Sequence, residues 1–150
     1  MKIALANSDD EVAACFPVMH ELRRRLDLSS FLAAVGRMKS QGYRLAFLAD
    51  PDVRSVTGFR TMEMLITGPV IYVDDLVTAA AHRSRGYGKA LLAWLLDEAK
   101  RQGCQYLDLD SGLKRIDAHR FYERNGLAKA AFHFSIPANA KMPWTALVQT

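Results

Sequence analysis

The chain has 150 residues, of which half are hydrophobic and 24% are charged, with a formal net charge of +4. This length and composition suit a single domain spanning residues 1–150 with a full hydrophobic core. Residues 3–6 are too few for the core of a signal peptide, and no later run approaches the ~20 apolar residues of a membrane span. We therefore expect a cytoplasmic protein with no membrane partner.

The positive net charge raises the question of a nucleic-acid partner. The basic residues fall into short clusters, chiefly 23–25 and the group formed by Arg83, Arg85 and Lys89, with acidic residues scattered between them. No basic stripe interleaved with aromatic residues and no zinc-finger spacing is present. Cys15 and Cys104 lack metal-ligand spacing, which favours two buried thiols. We expect neither a nucleic-acid partner nor a metal.

The first half of the chain reads as one strand followed by two helices. Residues 2–6 form an apolar strand. Asp9 or Asp10 can cap a helix that runs to about residue 26, since its apolar positions recur at helical spacing. Ser29 or Ser30 can then cap a second helix through residue 38.

Strands dominate the centre of the chain. Residues 44–49 and 53–65 read as strands joined by the Asp-Pro-Asp turn at 50–52, and Thr-Gly-Pro at 67–69 precedes another strand from residue 70. A leucine-rich helix is predicted over 86–102, where strong helix formers are frequent.

The remaining predicted elements are a strand at 104–110, a helix at 117–125 and closing strands at 128–136 and 144–148. The complete order is β-α-α-β-β-β-α-β-α-β-β, without repeats or an obvious linker. This alternation indicates a mixed α/β domain.

The stretch from Asp74 to Gly88 carries the clearest functional signal. Its sequence runs from an apolar strand through Arg83-x-x-Gly86-x-Gly88 into the leucine-rich helix. Glycines permit unusual φ values and close approach of an anion, and a helix N-terminus favours bound anions. Arg83, Arg85 and Lys89 add charges that can pair with phosphate. The alternative is a glycine-rich turn with solvated arginines.

Two other phosphate motifs do not match the spacing. A Walker loop requires Ser or Thr after its lysine, whereas Ala90 follows Lys89. A dinucleotide fingerprint requires a third glycine where Leu91 stands, although Asp108 and Asp110 lie at about the distance of its acidic residue. Neither a nucleoside triphosphatase nor a dinucleotide enzyme is expected.

Three motifs in order resemble the GNAT superfamily of acyl-CoA-dependent N-acetyltransferases. The loop at 83–88 resembles the family's pyrophosphate loop, and it follows the strand IYVDDLVT at 71–78. QYLDL at 105–109 resembles the fifth strand, and AHRFYERNGL at 118–127 resembles the late helix with its Phe-Tyr pair. The resemblance covers about residues 70–135 and implies the GNAT fold, with acetyl-CoA as acyl donor.

The resemblance also implies which residues contact the donor. The fourth strand would carry the pantetheine chain, and the loop and first helical turn would hold the pyrophosphate. The residues at these positions are Leu76, Val77, Thr78, Arg83, Ser84, Arg85, Gly86, Tyr87, Gly88 and Lys89.

Amide formation needs a proton acceptor, because an alkylammonium has a pKa of ~10.4 and only the neutral amine attacks a thioester. Strand alternation predicts Asp74 on one face with Leu76, and Asp75 on the opposite face with Val77. The family often uses a strand acid on the first of these faces. Asp74 is therefore the candidate base, acting directly or through water, and Asp75 a candidate structural residue.

The same resemblance implies two further catalytic roles. Tyr122 occupies the position of the tyrosine that protonates the leaving CoA thiolate, although a tyrosine packed on the sheet is the alternative. The backbone N–H of Leu76 would stabilise the oxyanion. Ile116 stands where the family often has an asparagine that contacts CoA, so that contact is in doubt here.

The acceptor site of the resembling family is built from the first two helices and the last strands. Acidic residues in or near these regions could attract an amine, and aromatic ones could line an apolar wall; they are Glu21, Asp27, Glu63, Phe31, Phe132, Phe134 and Trp144. We expect acetyl transfer to a primary amine of a small molecule by direct attack in a ternary complex. A non-catalytic acyl-CoA sensor of the same fold is the alternative, and a homodimer stays open.

Overall fold

The computed structural model describes residues 1–141. The chain comprises two compact units, Met1–Ser111 and Gly112–Thr150. In chain order the elements of the first unit are β1 (Lys2–Leu5), α1 (Asp9–Leu22), α2 (Leu28–Lys39), β2 (Tyr43–Ala49), β3 (Val53–Met64), β4 (Gly68–Thr78), a 3₁₀ turn (Ala80–His82), α3 (Tyr87–Arg101) and β5 (Tyr106–Leu109). The second unit contains α4 (Ile116–Arg124).

A five-stranded mixed sheet in the order β1-β2-β3-β4-β5 organises the first unit. The neighbours from β1 to β4 pair antiparallel, and β4 pairs with β5 in parallel. α3 supplies the crossover between these parallel strands, as a parallel pair requires a long connection. The mixed α/β class predicted from the sequence is confirmed.

α1 and α2 share one hydrophobic core with the sheet. Its buried members include Val12 and Met19 of α1, Phe31 and Val35 of α2, and Val56 of β3. Burial of a side chain of this size contributes about 1.5–3 kcal/mol, so this core is a major source of the unit's stability.

α3 packs in a second core of the first unit. Leu95 and Ala99 of the helix lie in one cluster with Phe59 of β3 and with Ile71 and Val73 of β4. β4 therefore has buried side chains in both clusters, since Val77 belongs to the α1 and α2 core. This strand leads directly into the loop at 83–86.

The caps of the first two helices differ from those predicted. Ser8 caps α1 in a capping box with Glu11, and Asp27 caps α2 in a capping box with Ser30. α1 ends at Leu22 rather than near residue 26. The predicted caps lie just inside the helices, because Ser8 and Asp27 have the extended backbone and accept the N3 hydrogen bond, whereas the predicted residues that follow them are already helical.

The strand predicted at 128–136 is wrong. Phe132 and Phe134 alternate as in a strand, but their side chains are 86% and 91% exposed and the segment has no strand structure. Alternation alone does not form a strand, because the backbone N–H and C=O groups must also find a neighbouring strand. The strand predicted at 144–148 lies outside the described residues.

Residues 1–141 show neither a membrane span nor a metal cluster. No helix in this range is long and apolar enough to cross a bilayer. No group of three or more His, Cys, Asp and Glu side chains among the same residues is placed to hold a metal ion.

Candidate active site

The loop predicted to bind pyrophosphate joins β4 to α3. Gly86 is the N-cap of α3 and has a φ of +86°, in the left-handed region that glycine adopts without strain. Gly88 already lies inside the helix, so only one of the two motif glycines needs this conformation. Ser84 also has a positive φ of 61°, which is uncommon for a residue with a side chain.

The N-terminus of α3 is not capped by a side chain of the described residues, in contrast to the capping boxes of α1 and α2. Its helical hydrogen bonds begin with Ala90 N–H donating to the carbonyl of Gly86 at 2.9 Å. The N–H groups of Tyr87, Gly88 and Lys89 precede that bond and have no intrahelical partner. Free N–H groups at a helix N-terminus favour a bound anion.

Three exposed cations are close to this helix end along the chain. Arg85 and Lys89 are exposed on the loop and on the first turn of α3. Arg83 Nε donates to the carbonyl of Thr78 at 3.4 Å, and its Nη2 lies 3.8 Å from Glu21 Oε2. Glu21 Oε2 also accepts from the backbone N–H of Ala80 at 2.8 Å. α1 therefore contacts both the start of the loop and its first arginine.

A second set of contacts anchors the loop to β3. Tyr87 Oη donates to Asp50 Oδ2 at 2.9 Å. Arg54 Nε donates to the carbonyl of Asp50 at 2.7 Å, and its Nη1 lies 2.7 Å from His82 Nε2. Asp50 and Arg54 could not be identified from the sequence, because no local motif links them to a loop so distant along the chain.

A β-bulge interrupts β4 at the two acidic residues. Gly58 pairs with Asp75 but the next residue, Phe59, pairs with Val73, so Asp74 is the extra residue. The alternation that predicted the two carboxylates on opposite faces is therefore wrong. The bulge turns both Asp74 and Asp75 toward one cavity, because an extra residue shifts the side-chain period by one.

That cavity has a volume of about 360 Å³ and lies between α1, α2 and the sheet. Its polar lining comes from Arg23, Tyr43, Tyr72, Asp74 and Asp75, and its apolar lining comes from Met19, Leu26, Phe31, Ala34, Val35 and Met38. Phe31, predicted for an apolar acceptor wall, is one of these residues. The acids predicted to attract an amine are elsewhere: Glu21 bonds the loop, Asp27 caps α2, and Glu63 lies near the end of β3.

Each carboxylate in the cavity is paired with a different arginine. Arg60 donates to both oxygens of Asp74, with Nε to Oδ1 at 3.0 Å and Nη2 to Oδ2 at 2.6 Å. Asp75 accepts from Arg23 Nε at 2.7 Å and from Tyr43 Oη at 2.9 Å. The two acids thus have different surroundings although they are neighbours.

Tyr43 lies at the centre of this network. Burial, and next the charge of Asp75, raises the pKa of its hydroxyl far above the ordinary value, so Tyr43 stays a hydrogen-bond donor. A Cβ at Gly58 would stand 1.8 Å from Tyr43 Oη, so glycine at that position makes room for the phenol. Arg60 lies over the Tyr43 ring, with its Cζ 5.6 Å from the ring centroid, within range of a cation–π interaction.

Tyr72 provides a second hydroxyl in the cavity. Its Oη donates to Asp110 Oδ2, beyond the end of β5. Burial, followed by this hydrogen bond, raises the pKa of Tyr72 above its usual value. Both phenols in the cavity therefore donate hydrogen bonds to carboxylates.

The predicted pantetheine positions lie on β4 beyond the bulge. Within the first unit, the pairing of β4 with β5 ends at Val73 and Leu109, so β4 continues beyond it with β3 on one side. Leu76 packs in the α3 core, Val77 is buried in the α1 and α2 core, and Thr78 Oγ1 lies 3.0 Å from Ser55 Oγ. The side chains of these residues are thus engaged in packing and bonding within the unit.

Tyr122 lies on α4 of the second unit. Its side chain is partly buried, and burial raises the pKa of its hydroxyl above the ordinary value. The tyrosine therefore keeps its proton to a higher pH than a solvated one. Its role in catalysis stays a prediction.

Comparison with known proteins agrees with this architecture. The model of the acetyltransferase (GNAT) family matches residues 9–127. An uncharacterized N-acetyltransferase, YhdJ of Bacillus subtilis, is 35% identical over 133 residues, covering 87% of this chain and 94% of the relative. Aminoalkylphosphonate N-acetyltransferase of Salmonella typhimurium is 38% identical over 133 residues, covering 87% and 86%.

A solved structure shows the same fold. AAC(6')-Iy in complex with the bisubstrate analog CoA-S-monomethyl-acetylneamine superposes with a TM-score of 0.81 at 13% identity, covering 93% of this chain and 98% of that one. The predicted family is confirmed by the family model and by both relatives. The chain therefore belongs to the GNAT family and is an acetyl-CoA-dependent N-acetyltransferase.

Proposed function

We propose that this acetyltransferase moves the acetyl group of acetyl-CoA to a primary amine of a small molecule, by direct attack within a ternary complex. One observation carries the proposal. The bulge in β4 turns Asp74 and Asp75 into a cavity, and the same strand leads into the loop before the uncapped N-terminus of α3. A carboxylate that could accept a proton and a helix end that could bind an anion thus lie along one strand.

The donor would bind along the end of β4 and the loop. The N–H groups of Tyr87, Gly88 and Lys89 suit the pyrophosphate, with Arg83, Ser84, Arg85 and Gly86 completing the loop around it. The backbone of Leu76, Val77 and Thr78 would accompany the pantetheine chain. An open strand edge supports this arrangement because its amide groups can pair with the amides of a ligand.

Asp74 would receive the proton of the attacking amine. Both of its oxygens accept hydrogen bonds from Arg60, but a carboxylate has about four lone-pair sites and can accept more. A water molecule can relay the proton where the short aspartate does not reach the amine. Asp75 is less suited to the role, since its bonds to Arg23 and Tyr43 connect β4 to α1 and β2.

Two further groups would act on the transition state. The backbone N–H of Leu76 would donate to the oxyanion of the tetrahedral intermediate, and Tyr122 would protonate the CoA thiolate as it leaves. The raised pKa of Tyr122 supports this role because it keeps the hydroxyl protonated at the pH of the reaction.

The cysteines support direct attack over an acetyl-enzyme intermediate. Burial raises the pKa of Cys15 to about 12, and burial also raises the pKa of Cys104. A thiol acts as a nucleophile only as its thiolate. Neither cysteine of the chain is thus prepared to carry the acetyl group.

The acceptor is proposed to be small because the cavity is. A volume of about 360 Å³ lies at the lower end of the range of small-molecule sites. The relative from Salmonella typhimurium is named for a small amine, an aminoalkylphosphonate, which agrees in kind with such an acceptor.

Thiol release from acetyl-CoA, measured across a panel of primary amines, tests the proposal. The expected result is saturable release that depends on the amine, with one N-acetylated product per thiol by mass spectrometry. Tyr122→Phe should lower kcat by about 10²-fold or more without changing the affinity for acetyl-CoA, since a positioned acid contributes this much. Tyr106→Phe, on an exposed tyrosine of β5, is the matched control.

Tight binding of acetyl-CoA without turnover of any amine would indicate a non-catalytic acyl-CoA sensor. Equal kcat values for Tyr122→Phe and Tyr106→Phe would remove Tyr122 from the mechanism.

A further inference from the structure

We propose that the acceptor of this enzyme is a primary amine on an uncharged, apolar body, and that the cavity disfavours amines that also carry a carboxylate or phosphonate. The proposal rests on the proposed function, because it assigns the substrate class of the same site. It departs from the anionic substrate in the name of the Salmonella typhimurium relative.

The larger wall of the cavity is apolar. It is built from the last turn of α1, the connection to α2, and one face of α2. The side chains are Met19, Leu26, Phe31, Ala34, Val35 and Met38. A hydrocarbon chain or an aromatic ring on the acceptor would be removed from water against this wall, which favours its binding. An anionic group placed there would lose its hydration without a partner.

The charges of the cavity are already balanced. Arg23 is the cation that lines it in the described part of the chain, and it donates to Asp75 Oδ1 at 2.7 Å and to the carbonyl of Asp74 at 3.0 Å. Arg60 is held on both oxygens of Asp74. An anionic group on the acceptor would compete with Asp75 for Arg23 while standing beside two carboxylates, and like charges at such distances repel.

The phenols of the cavity point to the same class of ligand. Tyr43 Oη donates its proton to Asp75 and Tyr72 Oη donates its proton to Asp110. Each hydroxyl oxygen retains lone pairs that can accept a hydrogen bond, but its O–H is no longer available to an anion. The N–H groups of an amine fit these acceptors, whereas carboxylate and phosphonate oxygens do not.

The apolar wall also suits the chemistry. Removal from water disfavours the charged form of an amine, so a bound ammonium loses its proton more readily than one in solution. The amine nitrogen would lie at the bulge beside Asp74, and the apolar body would extend along α2. The wall thus favours the neutral amine that attacks the thioester, and Asp74 would take up the proton that the ammonium loses.

Matched pairs of acceptors test the proposal on the unmodified enzyme. Phenethylamine is compared with phenylalanine, which adds a carboxylate, and hexylamine is compared with 6-aminohexanoate, in which a carboxylate replaces the terminal methyl group. Aminomethylphosphonate is added as a phosphonate. The kcat/KM of phenethylamine and of hexylamine should each exceed that of the corresponding carboxylate by about tenfold or more. Higher or equal values for the carboxylates or for the phosphonate would overturn the proposal and leave acetyl transfer intact. Turnover of none of these amines would overturn both this proposal and the proposed acetyl transfer to a small amine.

A pair of variants on α2 tests the location of the apolar body. Ala34 lines the cavity and Ala33 beside it is exposed, so the same change can be made on two faces of one helix. Ala34→Leu should raise the KM for phenethylamine by about tenfold, with the KM for acetyl-CoA unchanged, because the leucine fills the space of the ring. Ala33→Leu should change neither constant. Equal effects of the two variants on phenethylamine would contradict the assignment.

Discussion

Asp74 and Asp75 are neighbours that face the same cavity, yet they have different partners, and we therefore propose different roles for them. Asp74 is paired with Arg60, which comes from the adjacent strand β3. Asp75 accepts from Arg23 of the α1–α2 connection and from Tyr43 of β2. The first pair lies within the sheet, and the second joins the sheet to the helical layer.

Exchange of each acid for its amide separates these roles. Asp74→Asn should lower kcat by about 10²- to 10⁴-fold, because it removes the proton acceptor, while the affinity for acetyl-CoA stays unchanged. Asp75→Asn should lower the stability by about 1–3 kcal/mol, because it removes the charged partner of Arg23. Steady-state kinetics and chemical unfolding of both variants provide the measurement. Full kcat in Asp74→Asn with loss of kcat in Asp75→Asn would assign the base to Asp75.

Gly58 has a steric role that its sequence context does not reveal. An added Cβ would meet Tyr43 Oη at 1.8 Å, and Tyr43 is fixed by its bond to Asp75. Gly58→Ala should therefore destabilise the protein by about 1–3 kcal/mol, the usual cost of overpacking. Gly36→Ala is the matched control, since no atom lies within 4 Å of its Cβ on α2. It should stabilise by about 0.5–1 kcal/mol.

Urea unfolding of both glycine variants checks this expectation. Equal midpoints for Gly58→Ala and the parent protein would show that Tyr43 can move away, and that its position is not fixed by Gly58.

The sequence allowed several site residues to be predicted, but it did not allow their contacts to be predicted. Asp74, the loop and Tyr122 are recognisable because they belong to short motifs. Arg60, Arg23 and Tyr43 are not, because each is distant in sequence from the acid that it contacts. Contacts of this kind depend on strand register and helix placement, which a single sequence does not specify.

At the scale of the elements, the bulge in β4 is the clearest departure from prediction. The run IYVDDLVT is long enough to read as a strand, and β4 is one. A period of two does not show where one extra residue is inserted, because the insertion becomes visible only in the pairing with Gly58 and Phe59 on the partner strand. The strand was therefore predictable, whereas the face of each acid was not.

Two glycines of similar backbone geometry can test whether the N-terminus of α3 binds acetyl-CoA. Gly86 and Gly103 precede and follow the same helix, have φ values of +86° and +70°, and have no atom within 4 Å of an added Cβ. Alanine at either position should cost about 1–2 kcal/mol of stability, because it strains the left-handed conformation.

The two alanine variants should differ in ligand binding. Gly86→Ala should weaken the binding of acetyl-CoA about tenfold, because relief of the strain displaces the first N–H groups of α3. Gly103→Ala should bind acetyl-CoA as the parent protein does. Isothermal titration calorimetry measures both, and equal affinities would show that the helix N-terminus does not hold the donor.

At the scale of the whole molecule, the composition and the alternation of elements were sufficient to predict the fold class. The closing segment was the exception within the described residues, since the exposed Phe132 and Phe134 have the pattern of a strand without its pairing. Hydrophobic periodicity reports which side chains could share a face. It does not report whether a neighbouring strand is present.

In the first unit, α1 as well as β4 connects the proposed donor loop with the proposed amine cavity. Glu21 contacts Ala80 and Arg83 of the donor side, and Arg23 contacts Asp75 in the cavity. In the proposed function, these contacts would allow the first unit to bind both substrates at once. A ternary complex needs this arrangement, and an acetyl-enzyme route would instead need a reactive nucleophile.

The most direct test of direct transfer is the initial rate of thiol release while acetyl-CoA and an accepted amine are both varied, together with the intact mass of enzyme incubated with acetyl-CoA alone. Direct transfer predicts double-reciprocal lines that intersect and an enzyme whose mass does not change. Parallel lines, with an enzyme heavier by one acetyl group, would contradict it.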